Sequence, residues 1–372
     1  MNFFDDLSKF ADNRKDIIII YTDLRKAFDA VPHDLLLLKL RKYGIAGKTH
    51  RWLSNFLSNR TQKVRVNNKF SHEINIESGV PQGGVLSGTL FNLFIDDLSE
   101  CLHYASCSMY ADDAKIYATL DHNDSSTLIQ NDLDALSNWC SRWRMRLNAQ
   151  KCFALHYRPM GRSTRSPQFN IDGAVLNYKN SAVDLGITIS SDLKFHDQVS
   201  NACMKANKEI NNIRRNFKSR SPEFLRDMYK MFIRPHLEYC ITVWNPVYSG
   251  DSNALEKVQN RFTKLLRFGS TMTPSERNAC LRITDHKSRR KRGDMIAVYK
   301  YFDSGSLFRH DNNDTTRSNG KKLRVIACNN NIRQHSFAIR SVNAWNCLPE
   351  HVVSAPTLNS FKARLDAHMF DQ

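Results

Sequence analysis

Long apolar runs are what this chain of 372 residues most plainly lacks. None approaches the ~20 residues needed to span a bilayer. The N-terminus, MNFFDDLSKFADNRKD, is acidic and holds no apolar signal core. A soluble intracellular protein is therefore expected, with no membrane among its partners. No internal repeat is visible. The nine cysteines are scattered, with neither a CxxC pair nor a paired Cys/His spacing. That argues against a zinc site and leaves reduced core thiols as the reading.

Acidic residues are scarce in the second half. Residues 1–200 carry 24 Lys and Arg against 22 Asp and Glu, whereas residues 201–372 carry 30 against 15. The net charge of +17 is thus concentrated in the back half, which suggests a polyanionic partner there. Hydrophobic residues make up 41% of the chain, a globular rather than disordered composition.

What is present falls into two styles. DIIIIYTDL reads as a buried strand ending at Asp23, and HDLLLLKLRKYG as a helix stopped by Gly44. KTHRWLSNFLSNR is a second amphipathic helix. QKVRVNN and HEINIES alternate, predicting a hairpin near Asn67-Asn68. GVPQGG is a loop. VLSGTLFNLFIDDLSECL is a helix, with Asp96-Asp97 read as its solvent-facing end. ASCSMY and AKIYATL are two short strands joined at the aspartates between them. STLIQNDLDALSNWCSRWRMRLN is a long helix, apolar at Leu128, Leu133, Leu136, Trp139, Trp143 and Leu147. KCFALHY is a strand, QFNIDGAVLNY a hairpin around Asp172-Gly173, and AVDLGITIS another strand. From about residue 195 helical periodicity takes over. The last hundred residues are basic, with HKSRRKRG at 286–293 and a polar stretch at 309–322 that reads as a flexible loop. The front is mixed α+β with antiparallel hairpins, and the back is helical.

The chemistry centres on three carboxylates. Asp23 ends a buried strand, and Asp112 and Asp113 sit between two others. Neighbouring strands lie about 4.8 Å apart, so in one sheet these groups would converge at one edge. Converging carboxylates repel unless a cation neutralises them, and hard divalent cations prefer oxygen ligands. Such a site beside a basic half implies a polymerase or nuclease. Asp-Asp alone is also ordinary turn material.

Five stretches decide between these readings. YTDLRKAFDAVPHDLLLLKL, GVPQGGVLSGTLFNLFIDDL, MYADDAKIY, LNAQKC and LGITISSDLKF occur in the order of the reverse-transcriptase palm motifs. The set resembles the polymerases of non-LTR retrotransposons, of the jockey and CR1-like group. MYKMFIRPHLEYCITVWNP, LEKVQNRFTKLL and SVNAWNCLPEHVVSAPTLNSFKARLDAHM resemble the thumb and C-terminal tail of those elements. The resemblance implies an antiparallel palm with packed helices over 1–195, a helical thumb over 196–270 and a basic C-terminal region over 271–372.

It also implies roles. Asp23, Asp112 and Asp113 match metal-binding positions, for two Mg²⁺ ions or Mn²⁺ in their place. The carbonyl of Leu24 helps hold a metal in such enzymes. Phe28 matches the steric gate against a 2′-hydroxyl, so the product would be DNA; a viral-type RNA polymerase is disfavoured by Phe28 and by the C-terminal resemblance. Gln82 matches a contact to the incoming nucleotide, beside Gly83 and Gly84, which let backbone approach closely. Tyr110 belongs to the catalytic hairpin. Lys151 matches a lysine that neutralises or protonates departing pyrophosphate. Leu185 and Gly186 fall in the stretch resembling the primer grip. An RNA template, a DNA primer and dNTPs are the implied partners, with the nucleus as the place of action. Asp29 and His33 could suggest acid–base work, but a helix-start role is taken, with Asp34 and His33 opening the Leu-rich helix. KSRRKRG reads as a phosphate contact, a nuclear address or a solvated charged face.

Within the motifs, Gly84 stands where many relatives have Ser, and Gly88 where many have Pro. The larger departure is at the front. The fingers and endonuclease of such elements are absent, so the chain looks like the C-terminal part of a polyprotein. Loss of positioning can forfeit ~7–11 kcal/mol of a barrier. A catalytically inactive nucleic-acid-binding relic, or a co-opted host protein, therefore stays open beside the active polymerase.

Overall fold

The computed structural model describes residues 1–161, 165–302, 307–310 and 320–370. The chain divides into two units: Lys15–Asn180, and Ser181–Gln372 together with Met1–Arg14.

The first unit is built on a five-stranded sheet. Its order is Asn177–Tyr178, Phe153–Tyr157, Ile17–Thr22, Asp113–Thr119 and Ser106–Tyr110. The central strand Ile17–Thr22 is antiparallel to both neighbours. Its four isoleucines are at most 1% exposed, which is why the run is apolar at every position rather than at alternate ones. Thr22 lies opposite Ala114, and Tyr21 opposite Phe153. The end of the central strand and the starts of both neighbours therefore share one edge. Helices His33–Lys42, Gly47–Leu57, Ser87–Ile95 and Ser125–Arg142 supply the rest of the core, with Leu36, Leu40, Leu57, Phe91, Phe94 and Leu133 fully buried.

Several helices differ from expectation. The helix from 87 ends at Ile95 and tightens to a 3₁₀ turn over Asp96–Cys101. Asp97 does not face solvent only: its carboxylate holds the buried Lys39 ammonium and accepts from Trp139 Nε1 at 3.0 Å. Asp96 accepts from the Tyr43 hydroxyl at 3.0 Å. The long helix stops at Arg142, not at Asn148. Beyond it the chain turns at Arg144, whose φ is 54°, and Trp143, Met145 and Leu147 are buried while Arg144 and Arg146 are exposed. Leu128 is 38% exposed, and Ile129 fills the buried face instead.

The expected hairpins form where adjacent residues tolerate left-handed backbone. Asn67 and Asn68 take φ of 46° and 64°, and Asp172 and Gly173 take 49° and 79°. This is the sign pattern of a type I′ turn. AVDLGITIS is not one strand. Leu185 and Gly186 have φ of 45° and 81° and reverse the chain between Ser181–Asp184 and Ile187–Ser190. This hairpin belongs with the helices that follow it.

In the second unit, helix His196–Asn216 buries Val199, Ala202, Ala206, Ile210 and Ile213 against Tyr229, Ile233 and Phe262. A further cluster gathers Met295, Val298, Trp345 and Phe361. Helix Asn2–Asp12 is bound into this unit. Arg333 pairs with Asp5 and donates to Ser8 Oγ at 2.8 Å, while the Asp12 carboxylate accepts from the N–H groups of Asn329 and Asn330.

The basic run 286–293 proves largely internal. It opens helix His286–Tyr301, where Arg289 clasps Glu238, Arg292 clasps Asp366 and Arg290 donates to Ser252 Oγ at 2.7 Å. Lys287 and Lys291 are its exposed cations. Most of the polar stretch 309–322 lies outside the described residues. All nine cysteines are free thiols. Burial pushes Cys107 and Cys140 up to about 12, whereas Cys240, Cys280 and Cys347 are exposed rather than core. Among the described residues, no helix is long and apolar enough to cross a membrane.

Candidate active site

The sheet edge at the end of the central strand gathers the sequence's candidate carboxylates. Thr22 Oγ1 donates to the Ala114 carbonyl at 3.1 Å, tying the strand end to its neighbour. Past Thr22 the backbone changes partner. The Asp23 carbonyl accepts from Asn148 N–H, and Arg25 N–H donates to the Arg146 carbonyl, both at 2.8 Å. Leu24 thus faces Leu147 across an isolated bridge. Asp23 is held by backbone on both flanks while its side chain stays 32% exposed.

Asp112 and Asp113 lie on the adjoining hairpin. Tyr110 pairs with Asp113, leaving Ala111 and Asp112 as a two-residue turn. Ala111 takes φ of 52°, a left-handed conformation that costs a non-glycine residue ~1–2 kcal/mol. Tyr110 is 66% exposed. Asp132, which sequence reading passed over, fixes the approach to this hairpin. Its buried carboxylate accepts from the N–H groups of His103, Tyr104 and Ala105 at 2.8, 3.0 and 2.7 Å. Lys151, just before the strand on the other side, sets its Nζ 3.4 Å from Asp23 Oδ2.

A second wall is a loop laid against a short helix. Gly79 N–H donates to the Val31 carbonyl, and Val80 N–H to that of Phe28. His33 Nε2 bonds the Gly79 carbonyl at 2.8 Å, so its side chain staples the loop rather than capping a helix. Asp34 stands in the first turn of helix His33–Lys42, as expected, and pairs with Arg144. A Cβ on Gly79 would fall 2.7 Å from Asp29 Cα, at a φ of +88°. Of the loop and helix glycines singled out in sequence, Gly84 has one neighbour that close, Ser87 Oγ at 2.7 Å, while Gly83 and Gly88 have none within 4 Å. Gly83 is required by its φ of +82°. Gln82 Nε2 donates to Asp29 Oδ1 at 2.9 Å. Phe28 stacks on Phe91 with centroids 4.4 Å apart.

Leu185 and Gly186 lie in the other unit, at a turn whose Leu185 carbonyl accepts from the Tyr239 hydroxyl at 2.9 Å. The signal for Asp97 was legible in hindsight. A lysine within LLLLKL sits on a buried face, and a buried ammonium needs a carboxylate. Gly79, His33 and Asp132 carry no comparable local mark.

The family resemblance implies a divalent cation, and the donor set can be tested on its chemistry. Asp23, Asp112 and Asp113 offer carboxylate oxygens, the donors Mg²⁺ takes. Asp23 already draws a cation, the Lys151 ammonium. Among the described residues no three His, Cys, Asp or Glu side chains converge on a metal position. Mg²⁺ beside phosphates is held by one or two carboxylates, with substrate and water completing its shell, so the residues fit on those terms.

The model of the family "Reverse transcriptase (RNA-dependent DNA polymerase)" matches residues 2–196. A probable RNA-directed DNA polymerase from transposon BS of Drosophila melanogaster is 29% identical over 266 residues, covering 65% of this chain and 28% of that protein. The RNA-directed DNA polymerase from mobile element jockey of the same fly is 28% identical, over 51% of this chain and 21% of that one. The Pol polyprotein from type-1 retrotransposable element R2 of Popillia japonica is 31% identical, over 46% and 31%. The chain thus spans less than a third of the length of these relatives. With the matched model covering over half of its residues, the chain belongs to the reverse transcriptase family, in its non-LTR retrotransposon branch.

Proposed function

We propose that this chain carries the polymerising centre of an RNA-directed DNA polymerase. It would extend a DNA primer with dNTPs along an RNA template. One observation carries the reading: Asp23, the Asp112–Asp113 turn and Lys151 share a single edge of one sheet.

In the reaction the primer 3′-hydroxyl attacks the α-phosphorus of the nucleotide. The bond to the bridging oxygen breaks, pyrophosphate leaves, and the hydroxyl proton is lost. Asp23, Asp112 and Asp113 would hold Mg²⁺, or Mn²⁺ in its place. That ion, when bound, neutralises phosphate charge and favours the deprotonated hydroxyl. Lys151, beside Asp23, is suited to give a proton or its charge to the leaving pyrophosphate. Phe28 is backed by Phe91, so a sugar hydroxyl pressing on it meets a ring that cannot retreat. Gln82, oriented by Asp29, would meet the nucleotide beside Gly83, and Tyr110 the primer end. We take the Leu24 carbonyl as a further oxygen toward the metal and the Leu185–Gly186 turn as the primer grip. Lys15–Asn180 would then serve as palm and the helices after 195 as thumb. We put the site of action in the nucleus on family grounds alone, since the arginines of 286–293 are engaged internally.

Primer extension on an RNA template with Mg²⁺ tests the reading. Extension is expected from the intact chain, with a loss of at least about 10³-fold in Asp112→Asn. Phe28→Ala should admit ribonucleotides. Undiminished extension by Asp112→Asn, or none by the intact chain, overturns the proposal.

A further inference from the structure

Residues 245–248, between helices Ile241–Trp244 and Ser249–Thr263, form a wall shared by two cavities that lie wholly within the second unit. The first is an apolar chamber of about 90 Å³, lined by Phe4, Leu7, Phe195, Ile332 and Phe337 among others. That is room for one side chain, well short of the ~300–1,000 Å³ of small-molecule sites. Two carboxylates also line it, and both are engaged: Asp5 by Arg333, and Asp251 by His196 Nδ1 at 2.6 Å. Asn245 differs. Among the described residues its Oδ1 is the one lining side-chain atom that is fully buried without a hydrogen-bond partner. An orphaned acceptor costs stability, and at the wall of an apolar chamber it suits a ligand with an apolar body and one donor at its tip. The second cavity, of about 440 Å³, is lined by four cations, Lys287, Arg290, Lys291 and Arg340, against one carboxylate, Asp294. Arg340 takes up Asp294, while Arg290 donates to Ser252 Oγ and faces His286 Nδ1. Lys287 and Lys291 are exposed and stand one turn apart on helix His286–Tyr301, so they share a face. Among the described residues neither has a carboxylate partner.

We propose that these paired cavities dock an acidic peptide segment of another protein, with one tyrosine seated in the apolar chamber. Its hydroxyl donates to Asn245 Oδ1, and flanking carboxylates meet Lys287 and Lys291. The inference does not rest on the polymerase reading. The chamber's size selects a single anchoring side chain, and tyrosine gives an anchor large contact area at low entropic cost. A tyrosine brings one hydroxyl to satisfy. A nucleobase brings several polar edge atoms, and a wall with one free acceptor would leave most of them unpaired. Two free lysines a turn apart match a short acidic stretch, whereas a nucleic-acid backbone favours cations strung along a groove. Because the cavities share a wall of four residues, an extended segment of similar length reaches both.

The probe is a fluorescein-labelled pentapeptide, a tyrosine flanked by two glutamates on each side, titrated into the whole chain by fluorescence anisotropy. Saturable binding is expected, about tenfold weaker when phenylalanine replaces the tyrosine. Asn245→Leu should bind both peptides equally weakly and melt no lower than the intact chain, because the orphaned acceptor is gone. The double variant Lys287→Gln, Lys291→Gln should weaken both peptides by the same factor, about fivefold, and reduce the salt dependence of binding. Circular-dichroism melts check that it folds. No saturable binding of the tyrosine peptide overturns the inference, and so does an unchanged tyrosine preference in Asn245→Leu. An early melt of Asn245→Leu would make the amide structural and also overturns it. Single-stranded RNA binding that falls in the lysine variant while peptide binding holds gives the cleft to nucleic acid and overturns it. So does a dimer in sedimentation that either variant dissolves and the peptide does not, which gives the face to a second copy.

Discussion

The Lys151 ammonium stands 3.4 Å from the Asp23 carboxylate, across adjoining strands at the edge where the central strand ends. With its side chain 68% exposed, Lys151 contributes little to folding, and its removal should be felt in chemistry instead. Lys151→Gln is expected to slow single-nucleotide incorporation roughly 10²-fold, within the range of lost general-acid help, while the melting temperature holds. Rapid-quench incorporation beside a thermal melt measures both. A variant that melts early but incorporates at the normal rate would make Lys151 structural.

Asp97 and Lys39 make the opposite kind of pair. Lys39 is 2% exposed and lies 3.7 Å from the centre of the Trp143 ring. Burial lowers its pKa, with Asp97 opposing the shift. Asp97→Ala would strand the buried ammonium and should cost about 3–5 kcal/mol. Lys39→Met, which removes the charge and keeps the packing, should cost far less. Urea denaturation of the two variants gives the comparison, and equal losses would refute it.

Gly79 and Gly83 separate two reasons for glycine. Both have positive φ, but only Gly79 would press a Cβ into the Asp29 backbone. Gly83→Ala should cost ~1–2 kcal/mol from backbone alone. Gly79→Ala should cost roughly 3 kcal/mol or more, adding overpacking to that strain. Because the Asp29 segment also orients Gln82, Gly79→Ala should raise the KM for dNTP beyond the effect of Gly83→Ala. Paired denaturation and steady-state kinetics check this.

His286 predicts an acid sensitivity of the second unit. It is fully buried, with Nε2 against the Leu237 carbonyl at 3.2 Å and Nδ1 against the Arg290 guanidinium at 2.8 Å. Both partners suit a neutral ring. Burial first, then the Arg290 charge, pushes its pKa down to about 4. The unfolded chain, titrating near 6.5, binds more protons than the folded one between those values. The stabilisation is therefore complete above pH ~6.5 and is lost as pH falls toward 4, a change of roughly 3 kcal/mol. Melts of the intact chain should fall through that window, and His286→Gln should flatten the profile.

Local sterics and periodicity settle much of this protein in advance. Four isoleucines in a row can only be a strand buried on both faces, so Asp23 had to stand at its end. Asn67-Asn68 and Asp172-Gly173 tolerate left-handed backbone, so the chain had to reverse there. Leu185-Gly186 reverses it equally well, but a leucine gives no such sign, and the turn was read as strand.

What the tertiary structure alone decided is which distant groups meet. Asp97 for Lys39, Asp132 for the N–H groups before the Asp112–Asp113 hairpin, Asp29 for Gln82 and Glu238 for Arg289 are choices among many carboxylates of equal local character. The same holds for Arg25 and Arg146, which line one cleft because Asp23 and Asn148 join backbones. Propensity and periodicity act over a few neighbouring residues. Charge pairing and desolvation act through space, and only the packed chain determines which residues are close.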